Sequence, residues 1–446
     1  MRARELMLLV LVAFLVVLQV APGAEKREAS YANFKTFVTV LETVKRNYVV
    51  PVDDEKLFYG AFKGMLAELD PYSQFMTRED VEQLEVDTEG EFGGLGIEIT
   101  LDQNRILTVI TPLEDTPAMK AGVLPGDRII EIEGQNTYNT TLMDAVKKLR
   151  GKPGSKVTIT VLHQLNGKRE KITLTRDIIK VHSVRARKMV DADGKIGYIR
   201  INNFQRTTVE ELDQAVKKLV GEGMKGLVID LRRNPGGLLD AAVGVCDLFI
   251  DKGIIVSTKG KTPESVHEFD AHKEGTCPGF PLALLISNFS ASASEIFAGA
   301  MQDHHRGIIV GQRSYGKASV QSILSLDSGC KLRLTTARYY TPAGRLIHRE
   351  VDAKETDVWG IQPDIEVKMT YEDELGLSEH FRDERATEVT NGGAAPKPEV
   401  APKPEIAPLD EGGDTKKKEG EKKPFVDAAL VRAVDALKAV LVYEKR

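Results

Sequence analysis

Residues 311 to 321 read GQRSYGKASVQ, and Lys317 within them fits three kinds of chemistry. Gly311 to Lys317 matches G-x-x-x-x-G-K, the opening of a phosphate-binding loop. Ser314 to Lys317 matches S-x-x-K, the nucleophile motif of penicillin-interacting enzymes. A lysine in a glycine-rich turn can also act as base to a nucleophile elsewhere in the chain. The phosphate loop needs Ser or Thr after the lysine and a helix starting there, to hold Mg²⁺ and present free N–H groups. Position 318 is Ala, and Ser319 to Leu326 alternates like a strand. The same sequel denies S-x-x-K its helix; no S-D-N accompanies it, and Lys261-Thr-Pro263 is not K-T-G. The third reading is the one left standing.

A nucleophile is available for it. Asn288 to Phe297, NFSASASEIF, follows the apolar run Leu282–Ser287 and opens a helix. A serine at such a strand-to-helix turn stands at the sheet edge beside unpaired N–H groups of the first helical turn, which can stabilise a developing oxyanion. Ser292-x-x-Glu295 is equally a regular capping box, so a purely structural serine stays open on the turn alone. Asp230 to Gly237, DLRRNPGG, ends another strand-like run, and its Pro-Gly-Gly turn exposes further N–H groups or is a tight turn and nothing more. Lys317 and Gln321 are four apart on a predicted strand and so face one side, where the Gln amide would orient an amine. A solvated loop lysine is the plain alternative.

The elements that must position these groups are legible from periodicity. Residues 31–85 carry a helical stripe (Phe34, Phe37, Val38, Leu41, then Phe62, Met65, Leu66), broken at Asp70-Pro71. From 92 to 177 short β-like runs with glycine turns take over, with one amphipathic helix at Thr141–Leu149. From about 180 strands and helices alternate: Gly197–Ile201, Val209–Val220, Gly226–Leu231, Leu239–Phe249, Leu282–Ser287, Ser294–Met301, Gly307–Val310 and Lys331–Tyr340. That order implies a largely parallel, buried sheet with chemistry at strand C-termini. The repeat APKPEV–APKPEI and a Lys/Glu run make 373–424 an extended, solvated tether, ahead of an amphipathic helix over 425–446. That last helix either docks on a partner or packs on its own chain.

Taken together, Gly-Leu-Gly-Ile97, Asn-Pro-Gly-Gly237, Ser-Ala-Ser-Ala-Ser-Glu-Ile296, Gly316-Lys-Ala-Ser-Val-Gln321 and Thr335-Thr-Ala-Arg-Tyr-Tyr-Thr-Pro-Ala-Gly344 resemble the carboxyl-terminal processing proteases, the S41 family of serine endopeptidases, from about residue 30 to 370. The resemblance implies a multidomain α/β protease core, a crotonase-like ββα spiral, with an N-terminal helical segment and an inserted β-rich PDZ domain. By motif it makes Ser292 the nucleophile, Lys317 the base and Gln321 its companion. It gives the oxyanion hole to the amides of Ala293 and of Gly236 or Gly237, and a supporting role to Asp303. Ala318 stands where the motif usually has Gly, which leaves every reacting group in place. Residues 92–177 resemble a PDZ domain, with Leu95, Gly96 and Ile97 holding a free C-terminal carboxylate and the chain end adding as a strand. A lysine base must be neutral, so its pKa has to fall from about 10.4 to about 7–8, at a cost of roughly 3–5 kcal/mol. The rival is a non-catalytic PDZ-containing peptide-binding protein, against which the intact Ser292, Lys317 and Gln321 argue.

The expected layout is a signal peptide over 1–24, helices over 25–85, PDZ over 86–177 and protease core over 178–372, then tether and last helix. Arg2 and Arg4 before the apolar run Leu6–Leu18 give the leader its form, and the resulting expectation is export, to the periplasm or the outer face of the inner membrane. The net charge of −5 gives no reason to expect a nucleic-acid partner. Cys246, Cys277 and Cys330 have no metal-ligand spacing, and His304-His305 reads as a helix end, so neither metal nor cofactor is expected. The expected partners are proteins or peptides with free C-termini, with an adaptor or a second copy of the chain left open.

Overall fold

The computed structural model describes residues 31–443 except 114, 278, 327–328, 355 and 392–424. The leader over 1–24 and most of the tether lie outside the described residues. Two compact units appear: the residues up to Glu79 with Gln321–Thr335, and Asp80–Val320 with the residues from Thr336 onward.

In the first unit, α1 (31–47) and α2 (Asp54–Ala67) meet through a ladder of aromatic rings, Phe37–Phe58–Phe62–Phe75, with centroids 6.3, 6.2 and 5.1 Å apart. Asp53 caps α2, its side chain accepting from the Glu55 N–H. Asp70, read as a helix breaker, builds the turn that follows: its carboxylate accepts from the amides of Tyr72 and Ser73 and from the Ser73 hydroxyl. Strand β1 (Gln74–Met76) then pairs antiparallel with residues 331–333.

In the second unit, α3 (Arg78–Glu89) leads into a β-rich module. Strand β2 (Glu91–Gly94) is followed by β3 (Ile97–Leu101), β4 (Leu107–Pro112), α4 (Pro117–Lys120), β5 (Arg128–Ile132) and β6 (Gln135–Asn136). Next come α5 (Leu142–Leu149), β7 (Lys156–Leu162), β8 (Arg169–Thr175) and β9 (Asp177–Lys180), which returns to pair with β2. The sheet order β3-β4-β5-β7-β8 wraps a core of Leu107, Val109, Ile129, Val157, Ile159 and Val161. The alternation read in these segments is the physical cause, since odd or even positions alone face that core.

Beyond it β10 (Val184–Asp191), β11 (Ile196–Ile201), α6 (Thr208–Gly221), β12 (Gly226–Asp230), α7 (Leu239–Asp247), β13 (Gly253–Gly260), β14 (His267–Ala271), β15 (Leu282–Ile286), α8 (Ala293–Asp303), β16 (Ile308–Gly311) and β19 (Ile365–Glu366) build an α/β body, while β17 (Ser319–Ser325) and β18 (Lys331–Tyr340) have their residues from 321 to 335 in the first unit. The sheet order is β10-β11-β12-β15-β16-β19, and every pairing from β11 to β19 is parallel. Leu227, Ile229, Leu282 and Leu284 face α6, α7 and α8. Ile196, Tyr198, Val228, Ala283 and Leu285 face the other way.

That second face decides the fate of the chain end. A parallel sheet buried on both sides needs cover on both, and α10 (Ala428–Tyr443) supplies it in cis, burying Ala429, Ala433 and Leu437 against the sheet. The tether expectation also needs correcting at its start, because residues 371–391 form α9 (Tyr371–Asn391). Charge dominates that stretch and hides an apolar pair one turn apart, Leu377 and Phe381, both buried. Among the described residues no helix is long and apolar enough to cross a membrane, and all three cysteines are free.

Candidate active site

The run S-A-S-A-S offers three hydroxyls, and packing sorts them. Ser290 and Ser294 are fully buried, their hydroxyls donating to the carbonyls of Leu231 and Asn234 at 2.8 and 3.0 Å. Ser292 alone of the three is partly exposed. It stands at the N-cap of α8 with φ 55° and ψ −114°, a backbone region that costs a non-glycine residue about 1–3 kcal/mol. Such a conformation persists only where the surroundings impose it.

Two buried side chains do so. The Glu295 carboxylate, fully buried, accepts at Oε2 from the amides of Ser292 and Lys317, both at 2.8 Å. Those two nitrogens therefore lie at most twice that distance apart. Its Oε1 accepts from the Ser314 hydroxyl and the Gly316 amide at 2.5 and 2.6 Å. From the opposite side the buried Tyr339 hydroxyl lies within hydrogen-bond reach of the carbonyls of both Ser292 and Lys317, at 3.1 and 2.7 Å. Burial pushes the Glu295 carboxyl above its ordinary value, and these donors pull it only part of the way back. Burial likewise lifts the Tyr339 hydroxyl well above the ordinary tyrosine range, with Glu295 adding to it, so it stays a donor. Sequence reading saw Glu295 only as half of a capping box, Ser314 only as the serine of a rejected S-x-x-K motif, and Tyr339 only as part of the Thr335–Gly344 run. The spacing Ser-x-x-Glu was the sole signal, and it is blind to a loop 22 residues away.

Lys317 precedes β17 rather than lying on it, so the alternation argument that placed it on one face with Gln321 fails. The loop that carries it is pinned instead by Ser314, whose hydroxyl accepts from the Ile361 amide, and by the Arg349 amide donating to the Gly316 carbonyl. Gly316, at φ 91°, is required for close approach: a Cβ there would come within 2.8 Å of Trp359 and Arg349. The glycine of the apparent phosphate motif thus serves packing. Ala318, the departure from the family motif, is fully buried in the core.

Gln321 falls in the first unit, where its Nε2 donates to the Thr335 hydroxyl at 3.3 Å. The Thr335 amide donates to the Ser73 hydroxyl, which donates to Asp70.

The Pro-Gly-Gly turn abuts Ser292 directly. Gly236 has φ 104°, and a Cβ on it would lie 2.8 Å from the Ser292 Cβ and 2.9 Å from the Ala293 nitrogen. Its own N–H donates to Asn234 Oδ1 at 2.9 Å, which corrects the expectation that offered Gly236 as an oxyanion donor: in this geometry that hydrogen shapes the turn. That leaves Gly237 and Ala293 of the amides the family motif offers. Asn234 also accepts at its carbonyl from Ala291 and Ser294 and donates to Ile201, so one buried residue couples the turn, the Ser292 segment and β11.

Asp303, at the far end of α8, pairs with Arg345 and accepts from the Ala343 amide. It fixes the Thr-Pro-Ala-Gly loop after β18. His304 caps the same helix and its ring contacts the Ile254 carbonyl at 2.8 Å, so the His304-His305 pair lies at a helix end.

In the β-rich module the Leu95 and Gly96 carbonyls accept from the amides of Ala118 and Leu113 at 3.0 and 2.8 Å. In a planar trans peptide the next N–H points opposite to the carbonyl, so the amides of Gly96 and Ile97 are turned outward together. Gly96 has φ 73°, and a Cβ there would meet Thr116 at 2.3 Å.

Residues 195–367 match the model of peptidase family S41, residues 108–162 that of a PDZ domain, and residues 17–80 that of the activating protease CtpB N-terminal domain. A carboxy-terminal-processing protease of Bartonella bacilliformis is 41% identical over 400 residues, covering 86% of this chain and 89% of its own. A probable CtpA-like serine protease of Staphylococcus aureus is 35% identical over 360 residues, covering 80% and 68%. Among solved structures, a photosystem II D1 C-terminal processing protease has 30% identity and a TM-score of 0.43 over 75% of this chain and 88% of its own. With a serine turn and a lysine loop held by one carboxylate, a PDZ module, and a relative this similar along most of both sequences, the chain belongs to the S41 peptidases, the carboxy-terminal-processing serine proteases.

Proposed function

We propose that hydrolysis runs through a Ser292–Lys317 dyad. The neutral Lys317 amine takes the Ser292 proton, the alkoxide attacks the scissile carbonyl, and the amides of Ala293 and Gly237 receive the oxyanion. Lys317 then protonates the leaving amine and water deacylates the serine. The observation that carries this reading is the single Glu295 oxygen accepting from both the Ser292 and Lys317 amides. Gln321 joins this scheme only as the companion that the family motif assigns.

The outward amides of Gly96 and Ile97, with Leu95 before them, take the C-terminal carboxylate of a substrate, and its last residues add along β3. The substrates are exported or unfolded proteins bearing free C-termini. Acting on them outside the cytoplasm follows from the leader-like start, and a second copy of the chain is the partner that would cover Tyr31 and Phe34 on α1 and Val49 after it, all exposed.

The deciding experiment incubates wild type, Ser292→Ala and Lys317→Ala with an unfolded protein carrying an apolar C-terminus. Fragments should appear with wild type only. Cleavage that survives loss of the Ser292 hydroxyl would end the dyad reading. Deleting 92–177 should remove the advantage of C-terminally exposed substrates over internal ones.

A further inference from the structure

We propose that Asp427, just before the last helix, is a positioning residue for the hydrolytic site, acting through Arg232 on the turn that carries the oxyanion donor. The inference rests on the oxyanion reading above. Arg232 is fully buried, and two carboxylates share its guanidinium. Asp230, at the end of β12, accepts from Nε at 3.0 Å and from Nη2 at 2.6 Å. Asp427 takes the outer edge in a fork-to-fork pair, from Nη1 at 2.8 Å and Nη2 at 2.7 Å. Burial by itself would raise the Asp427 carboxyl, and Arg232 overrides it and holds it below its ordinary value.

The arrangement is asymmetric in a useful way. Asp230 is local, two residues from Arg232, and is itself held by the Tyr198 hydroxyl at 2.8 Å, so it neutralises the buried cation without help. Asp427 lies 195 residues away, and what it adds is direction. A bidentate pair fixes the plane of the guanidinium as well as its charge. The backbone that this side chain anchors runs straight on through Arg233, held at φ 61°, to Asn234, Gly236 and Gly237. The Asn234 carbonyl and amide hold the nucleophile segment and the turn, as described above. A shift of Arg232 is therefore handed to the turn beside Ser292. On the other side Asp427 accepts from the Leu430 amide, capping α10, which is seated by Ala429, Ala433 and Leu437. The docked helix thereby aims the buried arginine.

The test compares full-length wild type, Asp427→Asn, Arg232→Lys, Leu437→Ala and Ser292→Ala on one chromogenic peptide. A peptide boronic acid, whose tetrahedral adduct puts an oxygen in the oxyanion hole, is titrated in parallel. Asp427→Asn should lower kcat about tenfold to a hundredfold, as expected for a displaced catalytic donor, with KM within twofold and boronate affinity weakened by the same factor as kcat. Arg232→Lys, which keeps the charge but loses the fork, should do likewise. Leu437→Ala loosens the same helix but keeps the Asp427–Arg232 fork, and should lower the melting temperature with a kcat loss well below that of Asp427→Asn. Wild-type kcat in Asp427→Asn, or an equal kcat loss in Leu437→Ala, overturns the inference. Should Asp427→Asn fail to fold, Asp427→Glu decides: it keeps the charge and changes the reach, so unaltered kcat and boronate binding overturn the inference. An active Ser292→Ala would instead remove the catalytic reading beneath it, which separates the two failures.

Discussion

Two glutamates, one partly exposed and one fully buried, each staple segments of this molecule, and their carboxyls move in opposite directions. Glu211, in the first turn of α6, accepts from the Ser183 amide and hydroxyl, the Val184 amide and the Thr207 hydroxyl, beside the His182 ring at 3.4 Å. It fastens the strand by which the chain leaves the PDZ module. Burial works against its charge, yet the His182 hydrogen bond and the backbone donors win, and its pKa falls to about 2. Glu295 accepts from as many donors, three amides and a hydroxyl, and its pKa rises. The difference is solvent and a cation: Glu211 keeps 18% of its side chain exposed next to an imidazole, while Glu295 has no exposure at all. Hydrogen bonds alone do not fully offset complete desolvation of a carboxylate. The strand leaving the PDZ module is held by a stable anion, and the Ser292 turn by a costly one.

Glu295→Gln should show the largest effect. One acceptor oxygen becomes an NH₂ facing N–H or O–H donors, the Ser292 and Lys317 backbones separate, and kcat should fall about a hundredfold or more with KM little changed. Steady-state kinetics on protein shown folded by circular dichroism checks it, and near wild-type kcat would remove the catalytic half of the comparison. Tyr339→Phe comes next: it leaves the Ser292 and Lys317 carbonyls buried without that donor, costing about 1–3 kcal/mol of stability and about tenfold in kcat.

The pH response has opposite signs at the two sites. Because the folded Glu295 carboxyl binds its proton more tightly than the unfolded one, its contribution to stability falls as pH rises from the ordinary glutamate value, 4.5, through the raised one. The anion is nonetheless the form that accepts all four donors, so kcat should be lost on the acid side at a pH above 4.5, and Glu295→Gln should lack that limb. Glu211 contributes stability in full above 4.5 and loses it as pH falls toward about 2. Glu211→Gln should flatten thermal melts over that acid window, cost about 1 kcal/mol at neutral pH after solvent screening, and leave kcat on short peptides within twofold. A kcat loss there matching that of Glu295→Gln would erase the distinction.

Much of this was readable from residues in order. The Thr141–Leu149 helix, the alternating strands of the β-rich module and the buried runs Gly226–Leu231 and Leu282–Ser287 appear where period and composition put them, since each pattern is a local record of which face meets a core. Two missed elements have sparse or diluted apolar residues: β14, with Phe269 and Ala271 among polar residues, and α9, whose Leu377 and Phe381 sit among charges. At the site, Ser292 and the lysine loop stood out as motifs. Tyr339 and Asp427 did not, and Glu295 showed only its local capping box, because a carboxylate or hydroxyl that bridges distant loops leaves no spacing that records the bridge.

What the amino-acid order determined by itself was the parts: a serine at a strand-to-helix turn, a lysine whose sequel excludes a phosphate loop, a glycine turn, and amphipathic segments of known period. Only the tertiary structure decided which of three serines stays accessible, which turn glycine keeps its amide, and that the last helix lies on its own sheet. Those outcomes depend on burial and on donors meeting acceptors across long stretches of chain, and such pairings exist only once the backbone has closed around them.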